Sequence, residues 1–212
     1  HFLEGVQART STLRARIQSL SGRPFDLLFS THGRANPRYA YQSALMMTPE
    51  DGHSDSLNAA QIADLPLEDV SSVFMIACES GMITGALPEE SRSLVTAFLE
   101  AGAKSVVSAL WYVPVMSAST LLLEVQRRRY QARCSTAVAL RDAVVAARDG
   151  TLAPVASTSG LKGGALRAGT KLTLAHLPHV PSTATRISED WLLKSPLTWA
   201  AWIQTGAWDA SR

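Results

Sequence analysis

Two apolar, β-rich runs constrain this chain more than any other feature. Residues 25–33 read F-D-L-L-F-S-T-H-G and residues 72–81 read S-V-F-M-I-A-C-E-S-G. Each run is closed by a glycine, and each carries a reactive side chain, His32 or Cys78, at its far end. Nearly unbroken apolar runs suit strands of a parallel sheet buried on both faces, because polar alternation is expected only where one face meets water. Open sheets of that kind collect functional groups in the loops beyond the carboxyl ends of their strands. The pattern therefore predicts an α/β fold with a mostly parallel sheet, and it puts His32 and Cys78 at one edge of that sheet.

The rest of the chain supplies the helices. At 212 residues and 46% hydrophobic content, it can bury one sizeable core, so a single domain over residues 1–212 is expected. Leu3, Val6, Leu13, Ile17 and Leu20 predict an amphipathic helix over 3–20. Gly33, Asn36, Pro37, Pro49 and Gly52 break any period up to about residue 55, which reads as a surface loop or hairpin. A short helix follows at 56–65, capped by Ser56 or Asn58. Pro88, Glu89 and Glu90 mark a helix start, Leu94, Val95, Phe98 and Leu99 its buried face, and Gly102 its end. Lys104 to Trp111 is the next buried strand, and strand, helix, strand implies a right-handed parallel crossover. Two more helices carry apolar stripes at Ala118, Leu121, Leu122 and Val125 and at Ala137, Leu140, Val144 and Ala147, so helices are expected on both faces of the sheet. Arg127, Arg128 and Arg129 read as plain solvated surface. Residues 150–190 read as a loop or hairpin insertion, glycine- and proline-punctuated, with no carboxylate from 150 to 188. The last strand is expected at Trp199 to Ile203.

Composition excludes several classes of function. Twenty basic and 18 acidic side chains leave a net charge of +2, which gives no support to nucleic-acid contact or to an anionic-membrane binder. No apolar run approaches the roughly 20 residues of a membrane helix, and no basic segment followed by an apolar core marks the amino terminus. Cys78 and Cys134 are the only cysteines. That count suits a reducing cytoplasm better than a disulfide scaffold, and it leaves Cys78 free to react while Cys134 reads as a bystander. His176 and His179 flank Leu177 and Pro178 with no carboxylate or cysteine nearby, so no metal site is expected. Because the sequence starts at His1, it is expected to be a piece of a longer polypeptide whose regulatory region lies elsewhere.

The chemistry of the two strand ends is specific. A free thiol titrates near about 8.5, so a nucleophilic cysteine needs an adjacent imidazole to take its proton or stabilise its thiolate. His32 is the candidate base; His1, His53, His176 and His179 lie in a terminus or in irregular segments. Attack on a carbonyl also calls for donors aimed at the developing oxyanion, each worth about 2.7–4 kcal/mol. The backbone N–H groups of Gly33 and Cys78 are the candidates, and the missing side chain at Gly33 permits close approach.

The surrounding strings resemble the CHAT-domain branch of the caspase-like cysteine peptidases, whose hallmarks are T-H-G and a block close to L-S-A-C-E-T-G. This chain has T-H-G at 31–33 and M-I-A-C-E-S-G at 75–81. The separation 78 − 32 = 46 residues is similar to the roughly 50 between histidine and cysteine in caspases. Further blocks follow in order: A-F-L-E-A-G-A-K-S-V-V-S-A-L-W-Y-V-P at 97–114, M-S-A-S-T-L-L-L at 116–123, A-V-A-L-R-D-A at 137–143 and W-A-A-W-I-Q-T-G at 199–206. The resemblance implies a caspase-like sheet and a cysteine endopeptidase acting on a protein substrate through a His32/Cys78 dyad, with no third acid, no metal and no cofactor. It also implies oxyanion donors at Gly33 and Cys78, a substrate cleft shaped by Glu79 and Ser80, and a first specificity pocket bordered by Trp111 and Val113. Family members often read W-x-V-x-D there, whereas Val115 stands in place of the acid, which argues against cleavage restricted to basic residues. Such domains resemble effector modules, including those of bacterial defence systems, switched on by a regulatory domain or activating partner outside this chain. A catalytically silent scaffold that binds a partner protein is the rival reading, and a thiol acyltransferase a weaker third.

Overall fold

The computed structural model describes residues 3–34, 36, 39–49, 56–77, 93–152 and 189–207. In chain order, these form α1 (Thr10–Ser19), β1 (Phe25–Ser30), β2 (Gly33–Arg34), β3 (Ala44–Met46), β4 (Ser56–Asn58), α2 (Ala59–Ala63), β5 (Val70–Ile76), α3 (Leu94–Glu100), β6 (Ser105–Ala109), α4 (Val115–Ala132), α5 (Thr136–Arg148), α6 (Glu189–Lys194), α7 (Pro196–Trp199) and β7 (Trp202–Gly206). The main sheet has the order β1-β5-β6-β7, and a small second sheet has the order β2-β3-β4.

The main sheet is parallel across β1, β5 and β6; β5 and β6 are buried on both faces as their apolar runs imply, but β1 is an edge strand, with Phe29 buried and Leu28 45% exposed. Leu27 faces Val73, Ser30 faces Ile76, and Val73 and Phe74 face Val106 and Val107. The closing strand β7 runs antiparallel to β6, from Ser105 opposite Gly206 to Ala109 opposite Trp202.

Alternate strand residues feed two separate cores, one on each face. Phe29, Val73, Met75 and Val106 pack with Leu13 and Ile17 of α1, Ile62 of α2 and Leu94 and Phe98 of α3. The Phe29 and Phe98 rings meet at 5.5 Å and 41°. On the other face Phe74, Ile76, Val107 and Ala109 pack with Leu121, Leu122 and Val125 of α4 and Ala139, Ala143 and Ala147 of α5. The expected α/β sheet with helices on both faces is therefore present. The α3 crossover ends at Gly102, whose φ of 105° suits glycine and where a Cβ would stand 3.0 Å from the Glu68 backbone nitrogen.

Several element boundaries differ from expectation. The first helix begins at Thr10 and not at residue 3, because Gly5 takes φ 53° in a separate 3-10 turn over Gly5–Gln7. The irregular stretch after Gly33 holds a small antiparallel sheet, and the cap of α2 is Asn58, joined to Gln61 in a reciprocal capping box. On α5 the buried stripe runs through Ala139, Leu140, Ala143, Ala146 and Ala147, while Ala137 and Val144 are half-buried. The final strand starts at Trp202, since Ser195 caps a helical turn with Pro196 in its first turn that carries the chain through Trp199. The arginine run is not uniform surface: Arg127 is exposed beside Glu124, but Arg129 reaches across to the Asp26 carboxylate of β1. The proposed helix start at Pro88 and the 150–190 insertion, apart from 150–152 and 189–190, lie outside the described residues; α3 as described begins at Leu94, capped by Ser93.

Candidate active site

His32 sits two residues beyond β1, where the two sheets meet, and the Thr31–His32 segment is gripped from both. Thr31 N–H donates to the Ile76 carbonyl of the main sheet (3.2 Å), and Thr31 Oγ1 donates to the Met46 carbonyl of the small one (2.5 Å). Met46 N–H in turn donates to the His32 carbonyl (2.8 Å). Thr31 and the main chain of residue 32 are thus fixed by three hydrogen bonds, while the imidazole itself is exposed.

The same ladder sets the orientation of the next residue. Gly33 stands opposite Leu45. The bond from Met46 N–H to the His32 carbonyl makes Gly33 and Leu45 a pair of the non-hydrogen-bonded kind, so the Gly33 N–H points away from β3. A donor beside His32 is left unspent by the small sheet.

His32 lines a cavity of about 390 Å³ together with Ser30, Thr31, Ile76 and Ala77, Ala109 of β6, Tyr112, Val113, Val115 and Ala118 of α4, and Trp202 of β7. Three strands therefore end at this cavity. Apart from the imidazole, none of these described lining residues bears a charge, and aliphatic and aromatic side chains form most of the wall. Ala109 opposite Trp202 and the 2.8 Å bond from Leu110 N–H to the Ala201 carbonyl bring the Trp202 indole to its place. The Trp202 Nε1 is buried and has no hydrogen-bond acceptor among the described residues.

Of the residues expected from sequence, His32 and Val113 line the cavity, and Gly33 adjoins it in the chain. Trp111 is not part of its lining: its indole N–H donates to the Leu197 carbonyl (2.8 Å), which ties the segment after β6 to α7. Tyr112 takes the lining position beside it. Cys78, Glu79 and Ser80 lie outside the described residues, which stop at Ala77 on this side. Sequence reading missed Thr31, Ala118 and Trp202. The hydroxyl of Thr31 within T-H-G was a visible signal for the first, but nothing in the sequence indicated that a tryptophan about 170 residues away, 202 − 32 = 170, would close the same cavity.

A family model for the CHAT domain matches residues 1–207. No curated protein matches the chain.

Proposed function

The chain belongs to the CHAT-domain family, which is related to the caspase-like peptidases, and on that premise we propose that it is a cysteine endopeptidase working through His32 and Cys78. The observation that carries the reading is the parallel register at the site. Ser30 faces Ile76, and 32 and 78 each lie two residues further along, 30 + 2 and 76 + 2. Both strand ends lie at the carboxyl edge of the sheet, beside the cavity that His32 lines, where catalytic groups of open α/β sheets gather.

In this reading the Cys78 sulfur attacks the scissile carbonyl carbon as its proton passes to the imidazole of His32. The tetrahedral oxyanion takes hydrogen bonds from the backbone N–H groups of Gly33 and Cys78; the outward N–H of Gly33, unspent in the small sheet, supports that role. Collapse breaks the C–N bond, and His32 returns the proton to the departing amine. Water, deprotonated by His32, then cleaves the thioester and restores the thiol. No metal or organic cofactor enters.

The substrate side is a polypeptide with an uncharged, largely apolar residue at the cleavage site, because the described walls of the cavity offer no carboxylate to hold Arg or Lys. Glu79 and Ser80 are assigned to the cleft beside the nucleophile. The domain acts as a regulated effector module, of the kind found in bacterial defence or signalling, under the control of a region or partner outside this chain.

Labelling with peptidyl electrophiles of varied first-position residue tests this directly in the native protein, Cys78→Ala and His32→Ala. Labelling that is lost in the first variant, weakened in the second and best with apolar first positions is the expected result. A Cys78 inert even to small alkylating agents would replace the peptidase with a silent scaffold that binds a partner, and a strict preference for Arg or Lys would overturn the substrate assignment alone.

A further inference from the structure

A second cavity, of about 490 Å³, opens at the amino ends of β5 and β6, away from His32. Its size is ordinary for a small-molecule site. Lys104, Arg129 and Arg133 line it together with Ser72, Ser105 and Thr136, and no carboxylate is among its described lining residues. Arg129 is already paired with Asp26. Lys104 and Arg133 have no carboxylate partner among the described residues, so the cavity keeps about two uncompensated positive charges.

Its floor is a chain of buried hydroxyls. Ser105 Oγ and Ser72 Oγ are 2.9 Å apart, and Ser72 Oγ and Thr136 Oγ1 are 2.9 Å apart. Ser105 Oγ donates to the Ser71 carbonyl (3.3 Å), so the relay runs from Thr136 to Ser72 to Ser105 to that carbonyl and the Thr136 proton is spent inside the wall. Thr136 is only 6% exposed and opens α5, whose cap Ser135 takes the Val138 N–H. The positive end of that 13-residue helix dipole therefore lies at the same wall.

Arg133 adds an independent sign. It is the one non-glycine among the described residues with a positive φ, 49°, at the position after α4 where glycine is the favoured residue. A cationic side chain stands where the backbone would accept glycine more readily.

We infer that this cavity binds a small phosphate-bearing molecule, with Lys104 and Arg133 neutralising the phosphoryl oxygens at the amino end of α5. Guanidinium, ammonium and a helix amino end together form a donor set suited to phosphate. The assignment does not depend on the chemistry at His32.

Calorimetric titration of the protein with inorganic pyrophosphate, at ionic strength held constant with chloride, tests it. Saturable binding is expected for the native protein, weakened at least tenfold in Lys104→Gln/Arg133→Gly. Arg141→Gln, whose arginine lies outside the cavity beside Asp142, should bind as the native protein does. Unsaturable heats that follow ionic strength alone, or equal affinity in the native protein and the double variant, would overturn the proposal. Thermal melting of each variant separates lost binding from lost folding.

Discussion

The two cavities share one face of one sheet and one helix, yet their chemistry is opposite. Ala118 of α4 lines the cavity at the carboxyl edge, and Arg129 of the same helix lines the cavity at the amino edge. They are 129 − 118 = 11 residues apart, roughly 16 Å at the α-helical rise. Between them lie Phe74, Val107, Leu121, Leu122 and Val125, all buried. At the His32 end the wall is apolar and apart from the imidazole no described lining residue carries charge. At the other end hydroxyls and cations replace the aliphatic side chains. The strand directions make this natural: β1, β5 and β6 all end at the His32 edge, and the antiparallel β7 begins there, so residues early and late in each strand fall at different edges.

The largest effect expected from breaking this asymmetry is at the His32 end. His32→Ala should lower peptidase turnover by about 10²- to 10⁴-fold, the usual worth of a positioned acid–base group, without lowering the melting temperature, since the imidazole is exposed. Active-site titration alongside thermal melting checks both halves.

Arg129→Ala comes next. Asp26 is only 10% exposed at its side chain and Arg129 18%; its Oδ1 is already without a partner among the described residues, so removing the arginine leaves a half-satisfied buried carboxylate. A loss of about 1–3 kcal/mol in stability is expected, read by urea unfolding, with little change at the distant His32 site. A drop in peptidase activity of a correctly folded variant would show that the two ends are coupled.

Arg133→Gly should act in the other direction. Relief of the left-handed backbone is worth about 1 kcal/mol, or roughly 2–4 °C in a chain of this size. A variant that melts higher yet binds pyrophosphate less well would show stability given up for a ligand; a variant that melts lower would remove the strain argument.

The smallest effect concerns pH. Burial of the hydroxyl, then its hydrogen bond to Asp26, push the Tyr130 phenol from 10.0 to about 12. The residue as a whole is 65% exposed, so the burial concerns the hydroxyl end held against Asp26 (2.6 Å). A proton held more tightly in the folded state stabilises the fold fully below pH 10 and is lost as pH rises from 10 towards 12. The native melting temperature should therefore fall across that window more than that of Tyr130→Phe, by a modest amount because solvent screens the exposed ring.

Much of the fold was legible because burial on both faces leaves a mark in one dimension. The run at 72–81 and the stripe Ala118, Leu121, Leu122 and Val125 identify themselves by their spacing, and Gly102 by its place after a helix, whereas the run at 25–33 formed a strand at the sheet edge with only Phe29 buried. The strand β6 and its parallel relation to β5 followed from strand, helix, strand, whereas the antiparallel pairing of β7 with β6 did not. Boundaries were less legible where a cap outweighs periodicity: Ser195 and Pro196 extend helix through Trp199, in a segment whose apolar content alone reads as strand. The long side chain of Arg129 was misread because its partner, Asp26, is 129 − 26 = 103 residues away, and a surface helix with a distant ion pair has the same local pattern as one without.

The sequence by itself determined that His32 would stand just beyond a parallel strand and that its family would be CHAT, because strand-forming runs and motif strings are local properties of the chain. Tertiary structure decided what surrounds it. The non-hydrogen-bonded pairing of Gly33 with Leu45, the entry of Ala118 and Trp202 into the His32 cavity, and the meeting of Ser72, Ser105 and Thr136 at the opposite edge all depend on strand register and helix placement. Those are fixed by how two cores fill on the two faces of the sheet, a packing condition met by the whole chain at once and written in no single stretch of it.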